Sequence, residues 1–223
     1  MISKEKANSI NGRILFLAIS IIINSFFNAL TVSTQMGSAI WTASAVSLSH
    51  WIHISLGNIL FLEGVIVAIT NLALLGHFDW FRLLRNLLFI TPFSYLLAGF
   101  ERMFTSLGVP QLAIGWRIIL DIGGLFGVAA AVSLYQRANI IMHPNDDLPY
   151  ILRFRFMHGS SVYSQWMSNV PPLIIVVLVF IIKGHWYSFG FGTIYNILTQ
   201  GFLIGWSDQH FFPVLHHHLE FKN

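Results

Sequence analysis

The first long run of the sequence without a charged residue is ILFLAISIIINSFFNALTVST, residues 14–34. Further apolar runs follow it, and in the whole chain of 223 residues 55% are hydrophobic and only 9% are charged. A helix of roughly 20 apolar residues crosses a hydrocarbon core about 30 Å thick. A soluble protein of this length needs far more polar surface. The sequence therefore predicts an all-α, polytopic membrane protein.

The apolar runs predict six transmembrane helices in a single integral membrane domain, residues 1–223. The predicted spans are residues 14–34, 57–75, 87–107, 112–135, 170–182 and 190–206. A polar connection, 136–166, precedes the fifth span, and a His-rich tail, 207–223, follows the sixth. Pro171-Pro172 is interpreted as the start of the fifth span, because proline is tolerated in a first helical turn. The basic start of the chain lacks a cleavage signal after it, which predicts an uncleaved first span.

The positions of the basic residues predict the orientation in the membrane. Nine of the twelve fall before the first span, on alternate connections or in the tail: Lys4, Lys6, Arg13, Arg82, Arg85, Arg137, Arg153, Arg155 and Lys222. Basic residues favour the cytoplasmic side of a bilayer. We therefore expect a multi-pass protein of the plasma membrane with both termini in the cytoplasm. The net charge of +3 is small and lies in connections, which does not indicate nucleic-acid binding.

Two short elements outside the spans, 37–53 and 145–158, occupy similar places in the two halves of the chain. Each is interpreted either as an interfacial amphipathic helix or as a re-entrant segment that lines a cavity. Gly76-His77 recurs as Gly184-His185 after the following span. Three spans per half reverse the direction of the second half, so the layout predicts an inverted-topology repeat. The predicted repeats are residues 14–107 and 112–206.

Glu63 lies about seven residues inside the second predicted span, with no basic residue beside it in the sequence. An ionisable group within a span is costly and marks a functional site by default. We expect Glu63 to carry a proton on a solute or ion pathway. The alternative is a protonated or hydrogen-bonded glutamate that fixes the packing of the helices.

Four further charges, Glu101, Arg102, Arg117 and Asp121, are predicted near the outer third of the bilayer. A short connection joins the third and fourth spans into a hairpin, and Arg117 and Asp121 are one helical turn apart. One interpretation is an ion-pair network that neutralises buried charges. The other is a vestibule for a substrate or ion, in which Arg117 binds an anion.

The last span starts with Gly190, Gly192 and Thr193, and Gln200 lies further along it. Glycines at the end of a span permit close helix packing, which is the first interpretation. In the second, Thr193 caps a helix start whose free N–H groups form an anion-friendly site on the pathway.

The segment Phe189-Gly190-Phe191-Gly192-Thr193, followed by Gln200-Gly201, resembles the G-x-G-T…G signature in the last span of the YczE/YyaS/YitT family. Residues 138–148, ANIIMHPNDDL, are similar to the a-x-x-G-x-x-P-x-D-x-L segment of that family. The resemblance implies a small bacterial integral membrane protein, and the family has no firmly established activity. Met142 and His143 stand where the family has small residues. The close approach of backbone segments that a glycine would permit there is therefore altered.

The residues do not indicate an enzyme, a cofactor or a metal site. Cysteine is absent, which excludes disulfides and thiolate chemistry. Histidines are frequent, but the predicted topology puts His50 and His53 outside the membrane, and His210 and the triplet 216–218 inside. One metal site cannot be assembled across a bilayer.

These features predict a secondary transporter or permease for a small solute, coupled to protons through Glu63. The alternative is a membrane scaffold or regulator that does not transport and acts through a protein partner. A homo-oligomer is compatible with both.

Overall fold

The computed structural model describes residues 4–158 and 161–216 and, within them, nine α-helices. The helices are α1 (Lys4–Asn8), α2 (Ile10–Thr34), α3 (Ile40–Ile52), α4 (Leu56–Leu75), α5 (Trp80–Ser106), α6 (Ile114–Ala138), α7 (Pro144–Arg155), α8 (Ser161–Lys183) and α9 (Phe191–His210). A short 3₁₀ turn, Val109–Gln111, joins α5 to α6. The predicted all-helical class is confirmed for these residues.

Five helices are long and apolar enough to cross a membrane, namely α2, α4, α5, α6 and α8. Their outward faces carry large exposed apolar side chains, such as Ile66 on α4 and Ile181 on α8. A surface of this kind fits lipid rather than water. The sixth predicted span, α9, is long enough but is not among the five, because Asn196, Gln200 and Asp208 lower its hydropathy. The chain therefore has the build of a helical membrane protein with five candidate spans.

Several predicted boundaries are wrong, and prolines explain the largest error. The fifth span was expected to start at 170, but α8 starts at Ser161 and continues through Pro171-Pro172. The two prolines therefore lie in the interior of a helix rather than in its first turn. Long helices in membranes tolerate proline because neighbouring groups satisfy the freed carbonyls.

Two further helices are longer than predicted. α5 starts at Trp80, before the predicted 87, because Asp79 caps it by accepting a hydrogen bond from the Arg82 N–H at 3.0 Å. α9 ends at His210, so the predicted His-rich tail begins with a helical turn, and its residues 217–223 lie outside the described part of the chain.

The helices form one bundle in which α2 and α6 pack along each other at the centre. α5 packs against α2 and α4, and α9 packs against α6. The two short helices lie on the other side, α3 against α8 and α4, and α7 against α4 and α8. The largest apolar core joins α2, α5 and α6 through Ile21, Phe89, Leu97 and Val132.

The short helices begin inside the bundle rather than on its surface. Thr42 in the first turn of α3 contacts Asn28, which lies six residues before the end of α2. The His143 ring, which caps α7, packs between Phe89 and Phe93 of α5, with ring centroids 5.2 and 4.8 Å away. Both helix starts are therefore buried among the long helices, which supports the re-entrant interpretation over the interfacial one.

Arginines gather at one end of the bundle, which we call the basic end, and bind helix ends there. Arg13 of α2 donates to the Ala138 and Asn139 carbonyls at the end of α6, at 2.7 and 3.0 Å. The buried Arg137 donates to carbonyls of the segment that follows α9, including Phe211 O at 2.7 Å. Cations at helix C-termini are favourable because the last carbonyls lack intrahelical partners. The residues that predict orientation therefore also stabilise the fold.

Candidate functional site

A cavity of about 190 Å³ lies inside the bundle and is lined by polar and apolar residues of every helix from α2 to α9. Eight of the lining side chains are carboxamides, which are Asn24, Asn28, Gln136, Asn145, Gln165, Asn169, Asn196 and Gln200. Two carboxylic acids, Glu63 and Asp146, also line it. No lysine or arginine occurs among the lining residues in the described part of the chain.

One wall of the cavity is a hydrogen-bonded chain that links α2 to the start of α3. Asn24 and Asn28 share one face of α2, because they are four residues apart. The Asn28 amide donates to Asn24 Oδ1 at 2.6 Å, and the Thr42 hydroxyl donates to Asn28 Oδ1 at 3.1 Å. The chain orients the carboxamides and ties the first turn of α3 to the last third of a long helix.

Glu63 of α4 is 7% exposed and lies against the first turns of α3. The Ser44 hydroxyl lies 2.9 and 3.1 Å from its two carboxyl oxygens. The same hydroxyl lies 2.8 Å from the Trp41 carbonyl oxygen. Neither of the ion pairs found among the described residues includes Glu63. The acid therefore has a hydroxyl partner rather than a basic one.

The start of α7 brings two more titratable groups to the cavity. Burial raises the pKa of Asp146 to about 6, while the hydrogen bond that Tyr135 donates to it lowers the pKa and the charge of Asp147 raises it. Burial lowers the pKa of His143 to about 3, and its Nδ1 accepts from the Asn145 N–H at 3.2 Å. The imidazole is therefore neutral near pH 7, and Asp146 titrates close to the physiological range.

Asp147 follows Asp146 but points to a different partner. Arg82 at the start of α5 donates to Asp147 Oδ2 at 2.7 Å, and the Asn86 amide donates to the same atom at 3.3 Å. This ion pair fastens α7 to α5 beside the cavity. Removing Arg82 would be costly, because it would leave the charge of the buried Asp147 without its basic partner.

The structure brings two of the predicted site residues, Glu63 and Gln200, to the same cavity. The predicted Gly190, Gly192, Thr193 and Asp121 do not line it. They gather instead where the start of α9 meets the turn between α2 and α3.

We call this second cluster the glycine junction; it consists of residues 34–38, Asp121 and residues 190–193. The Gly192 N–H donates to Met36 O at 3.0 Å, and the Ser38 N–H donates to Thr193 Oγ1 at 3.2 Å. A Cβ added at Gly192 would overlap Asp121 Oδ2. The glycines therefore permit close packing, and the Gly192 N–H is occupied by a carbonyl rather than free for an anion.

The remaining predicted residues, Glu101, Arg102 and Arg117, do not meet. Glu101 accepts from the Thr105 hydroxyl at 2.9 Å, Arg102 is exposed, and Arg117 donates to Pro110 O at 3.4 Å. Among the described residues no ion pair joins them to each other or to Asp121. Asp121 accepts instead from the Thr34 hydroxyl at 2.9 Å. The predicted ion-pair network is therefore not formed.

Sequence reasoning missed most of the cavity, although a signal for it was present. Carboxamides occur four residues apart on three helices of the bundle, as Asn24 and Asn28, Gln165 and Asn169, and Asn196 and Gln200. This spacing puts both members of each pair on one helix face. A search for paired polar residues within apolar runs would have found these three walls.

Comparison with known proteins gives one match. A family model described as a family of unknown function (DUF6198) matches residues 11–209. No curated protein and no solved structure matches the chain. The family match does not name the YczE/YyaS/YitT proteins, so that resemblance stays a prediction. The matched residues include all the long helices, and the chain belongs to the family of unknown function DUF6198.

Proposed function

We propose that the chain is a secondary transporter that carries a small solute through the central cavity, with a coupled proton carried by Glu63. The observation behind the proposal is that two buried helix starts, those of α3 and α7, meet at one polar cavity among membrane-type helices. Secondary transporters bind solutes at such places, where broken helices from two repeats meet near the middle of the bilayer.

The helix lengths support the inverted repeat that this mechanism uses. α2 and α6 are each 25 residues long and start 104 positions apart, at Ile10 and Ile114. Each ends in a residue of left-handed conformation, Gln35 and Asn139, and these are also 104 positions apart. α3 and α7 each start five positions after that residue.

The packing supports the same repeat, because equivalent helices exchange partners. α3 packs on α8, and α7 packs on α4. α2 packs on α5, and α6 packs on α9, while α2 and α6 meet each other where a two-fold axis would run. One pair of equivalent contacts differs: α4 packs along α5, whereas the described residues of α8 and α9 make no comparable contact.

We propose that α9 is the sixth span. It has 20 residues, which is about 30 Å of helix. Phe191, Ile194, Leu198 and Phe202 form an exposed apolar stripe, whereas Asn196 faces the cavity and is 2% exposed. The polar residues that lower its hydropathy therefore face protein, and the outward face suits lipid.

The distribution of basic residues favours a cytoplasmic location for the basic end. The cavity reaches Gln165 on α8 and Gly201 on α9, both of which are exposed. The glycine junction packs at the opposite end, where α9 begins. We therefore infer that the solute would enter between α8 and α9 and that the junction closes the opposite end.

The hydroxyl of Ser44 supports a proton on Glu63. A hydroxyl has one hydrogen to donate, yet three acceptor oxygens lie within 3.1 Å of Ser44 Oγ. A protonated Glu63 satisfies the group: its O–H donates to Ser44 Oγ, and Ser44 then donates to Trp41 O. A carboxyl that can alternate between this arrangement and an ionised one can carry a proton across the membrane.

The test is uptake by the purified protein in proteoliposomes. Vesicles are given a carbon-13-labelled cell extract under an imposed pH gradient, and the solutes inside are identified by mass spectrometry. We expect at least one solute to accumulate in a gradient-dependent way, and Glu63→Gln to abolish this accumulation. Glu101→Gln, also on a long helix but away from the cavity, is the matched control and should behave as the wild type.

The outcomes separate the two parts of the proposal. If nothing accumulates above protein-free vesicles, the chain is not a transporter of extract solutes, and the scaffold or regulator alternative gains. If uptake occurs but Glu63→Gln leaves its pH dependence unchanged, the proton role is wrong. The cavity and the absence of a basic partner for Glu63 among the described residues favour transport over a scaffold, which has no use for either.

A further inference from the structure

We propose that the cavity selects an uncharged solute that both donates and accepts hydrogen bonds, such as a small polyol or a urea-type amide. The solute would form hydrogen bonds with three atoms of the wall, which are Trp41 Nε1, Asn196 Nδ2 and Asn145 Oδ1. This inference rests on the proposed function, because it names the class of solute that the same cavity would carry.

The three proposed contacts are polar atoms that the chain itself leaves without a hydrogen bond. Trp41 Nε1 and Asn196 Nδ2 are buried donors, and Asn145 Oδ1 is a buried acceptor. All three residues line the cavity. Leaving such a group unpaired costs about 1–3 kcal/mol, so a polar ligand or water is favoured there. Because the atoms belong to α3, α9 and α7, a molecule bound to them bridges both halves of the bundle.

The lining also includes apolar side chains such as Ile90 and Val132, and its carboxamides have the same chemistry as the three contacts. Each carboxamide offers a donor and an acceptor, and the cavity has eight of them. The pairs on α2, α8 and α9 put these groups on the inner faces of three separate helices. A hydroxyl group or a urea-type amide also donates and accepts at neighbouring atoms, so each polar group of such a solute finds a complementary partner.

The charges of the wall argue against an ionic solute. An anion would lie beside Glu63 and Asp146 with no lysine or arginine among the described lining residues to compensate it. A cation would face the starts of α3 and α7, whose backbone N–H groups give each helix start about half a positive charge. The two carboxyl groups are already hydrogen-bonded within the protein, Glu63 with Ser44 and Asp146 with Tyr135. An uncharged solute avoids both conflicts.

The size of the cavity sets a limit on the solute. The cavity volume is about 190 Å³. Sites for drug-sized ligands run from about 300 Å³ upward. Compact solutes such as erythritol or urea fit this range, and larger ones such as disaccharides do not.

The experiment measures the entry of four defined probes into proteoliposomes by the light-scattering change after an osmotic shift. Erythritol represents polyols, urea represents amides, choline is a cation and lactate is an anion. We expect erythritol or urea to enter faster than it enters protein-free vesicles, and choline and lactate to show no protein-dependent entry. Which neutral probe is faster decides between a polyol and an amide.

Variants of Asn196 test the contact itself. Asn196→Leu keeps the size of the side chain and removes its hydrogen bonds, so neutral entry should fall about tenfold. Asn58→Leu, at an exposed position of α4 outside the cavity, is the matched control and should not change entry. Asn196→Asp adds a carboxylate at the same place and should allow choline to enter. This gain of entry keeps the test decisive even if the leucine variant folds poorly.

Each outcome decides the inference. Protein-dependent entry of choline or lactate into wild-type vesicles overturns it but leaves the proposed transport function standing. Failure of both neutral probes to enter also overturns it. If the labelled extract yields no transported solute either, the proposed function fails with it. Neutral entry that is lost in Asn196→Leu and kept in Asn58→Leu supports both.

Discussion

The central cavity and the glycine junction lie little more than one turn apart on α9, yet they treat buried polar groups in opposite ways. At the junction, Thr193 binds the Ser38 N–H, and Gly192 lies against the turn between α2 and α3 without space between them. In the cavity, the side chain of Asn196 forms part of the wall of an open volume, and its buried amide nitrogen has no hydrogen-bond partner. Asp121 Oδ2 at the junction also lacks a partner, but the backbone of Gly192 fills the place where a ligand would be.

The difference teaches that buried polarity alone does not identify a site in a membrane bundle. What separates the two regions is room beside the polar group. At the junction a glycine lets two segments pack without space between them, whereas the carboxamides of the cavity line an open volume that a solute can occupy. The following changes test that distinction.

Gly37→Ala should have the largest effect, because it attacks the junction through the backbone. Gly37 has φ +129°, a conformation that residues with a side chain rarely adopt. An added Cβ would also lie 2.6 Å from the Thr193 nitrogen. Strain and overpacking together should lower the free energy of unfolding by about 3 kcal/mol or more. The readouts are the yield of monodisperse protein and its melting temperature in detergent.

Gly99→Ala on α5 is the matched control for that change, since its Cβ would meet no atom within 4 Å. It should leave the melting temperature unchanged or raise it. Equal loss in both variants would mean that the junction is no tighter than an ordinary helix surface.

Gly192→Ala should have a smaller effect that depends on Asp121. Its Cβ overlaps Asp121 Oδ2, and the Gly37 oxygen lies 2.9 Å away. The cost is expected at about 1–3 kcal/mol, because a side chain can move where a backbone cannot. Asp121→Ala should recover part of this loss in the double variant. Additive losses in a double-mutant cycle would contradict the packing role given to Asp121.

The smallest expected effect is a pH dependence at the α7 side of the cavity. The folded pKa of Asp146 is about 6, above its ordinary value of 3.8, mainly because of burial. Its stabilising contribution is therefore fully present below the unfolded pKa and is lost as the pH rises through about 6. The melting temperature of the wild type relative to Asp146→Asn should rise as the pH falls from 8 to 5.

Tyr135→Phe sharpens this measurement, since it removes the hydrogen bond that lowers the pKa of Asp146. The midpoint of the pH effect should then move to higher pH. His143 is present in all three proteins, so its own titration cancels in the difference. A difference that does not vary with pH would show that Asp146 has an ordinary pKa.

Much of the helical framework could be predicted from hydropathy. The expected spans 14–34 and 57–75 differ from α2 and α4 by a few residues at most. The predicted helix boundaries were wrong where a local sequence signal and the tertiary packing favour different structures. Pro171-Pro172 was interpreted as a helix start, but both prolines lie in the interior of α8. The number of spans that cross the membrane and the inverted repeat stay proposals.

The candidate site was predicted less completely than the helices. Glu63 was found because a lone charge in an apolar run is costly anywhere in that run. Gln200 was also predicted as a site residue, but Asn196, one helical turn before it, was missed. For Gly192 the sequence left two interpretations open, close helix packing and an anion site. The other lining carboxamides were missed because an uncharged side chain, unlike a charge, does not by itself mark a functional site within a span.

The sequence by itself determined that the chain forms long apolar helices with basic residues at their alternate ends, because hydropathy and charge act on each segment separately. Only the tertiary structure decided which buried polar groups have space in front of them. It put Asn28, Glu63 and Asn196 from three distant segments around one cavity, and it closed Gly192 against Asp121. The physical reason is that packing is a property of pairs of helices. The sequence of one helix does not specify how far away the neighbouring helix lies. That distance decides whether two helices form a solute site or a packing contact.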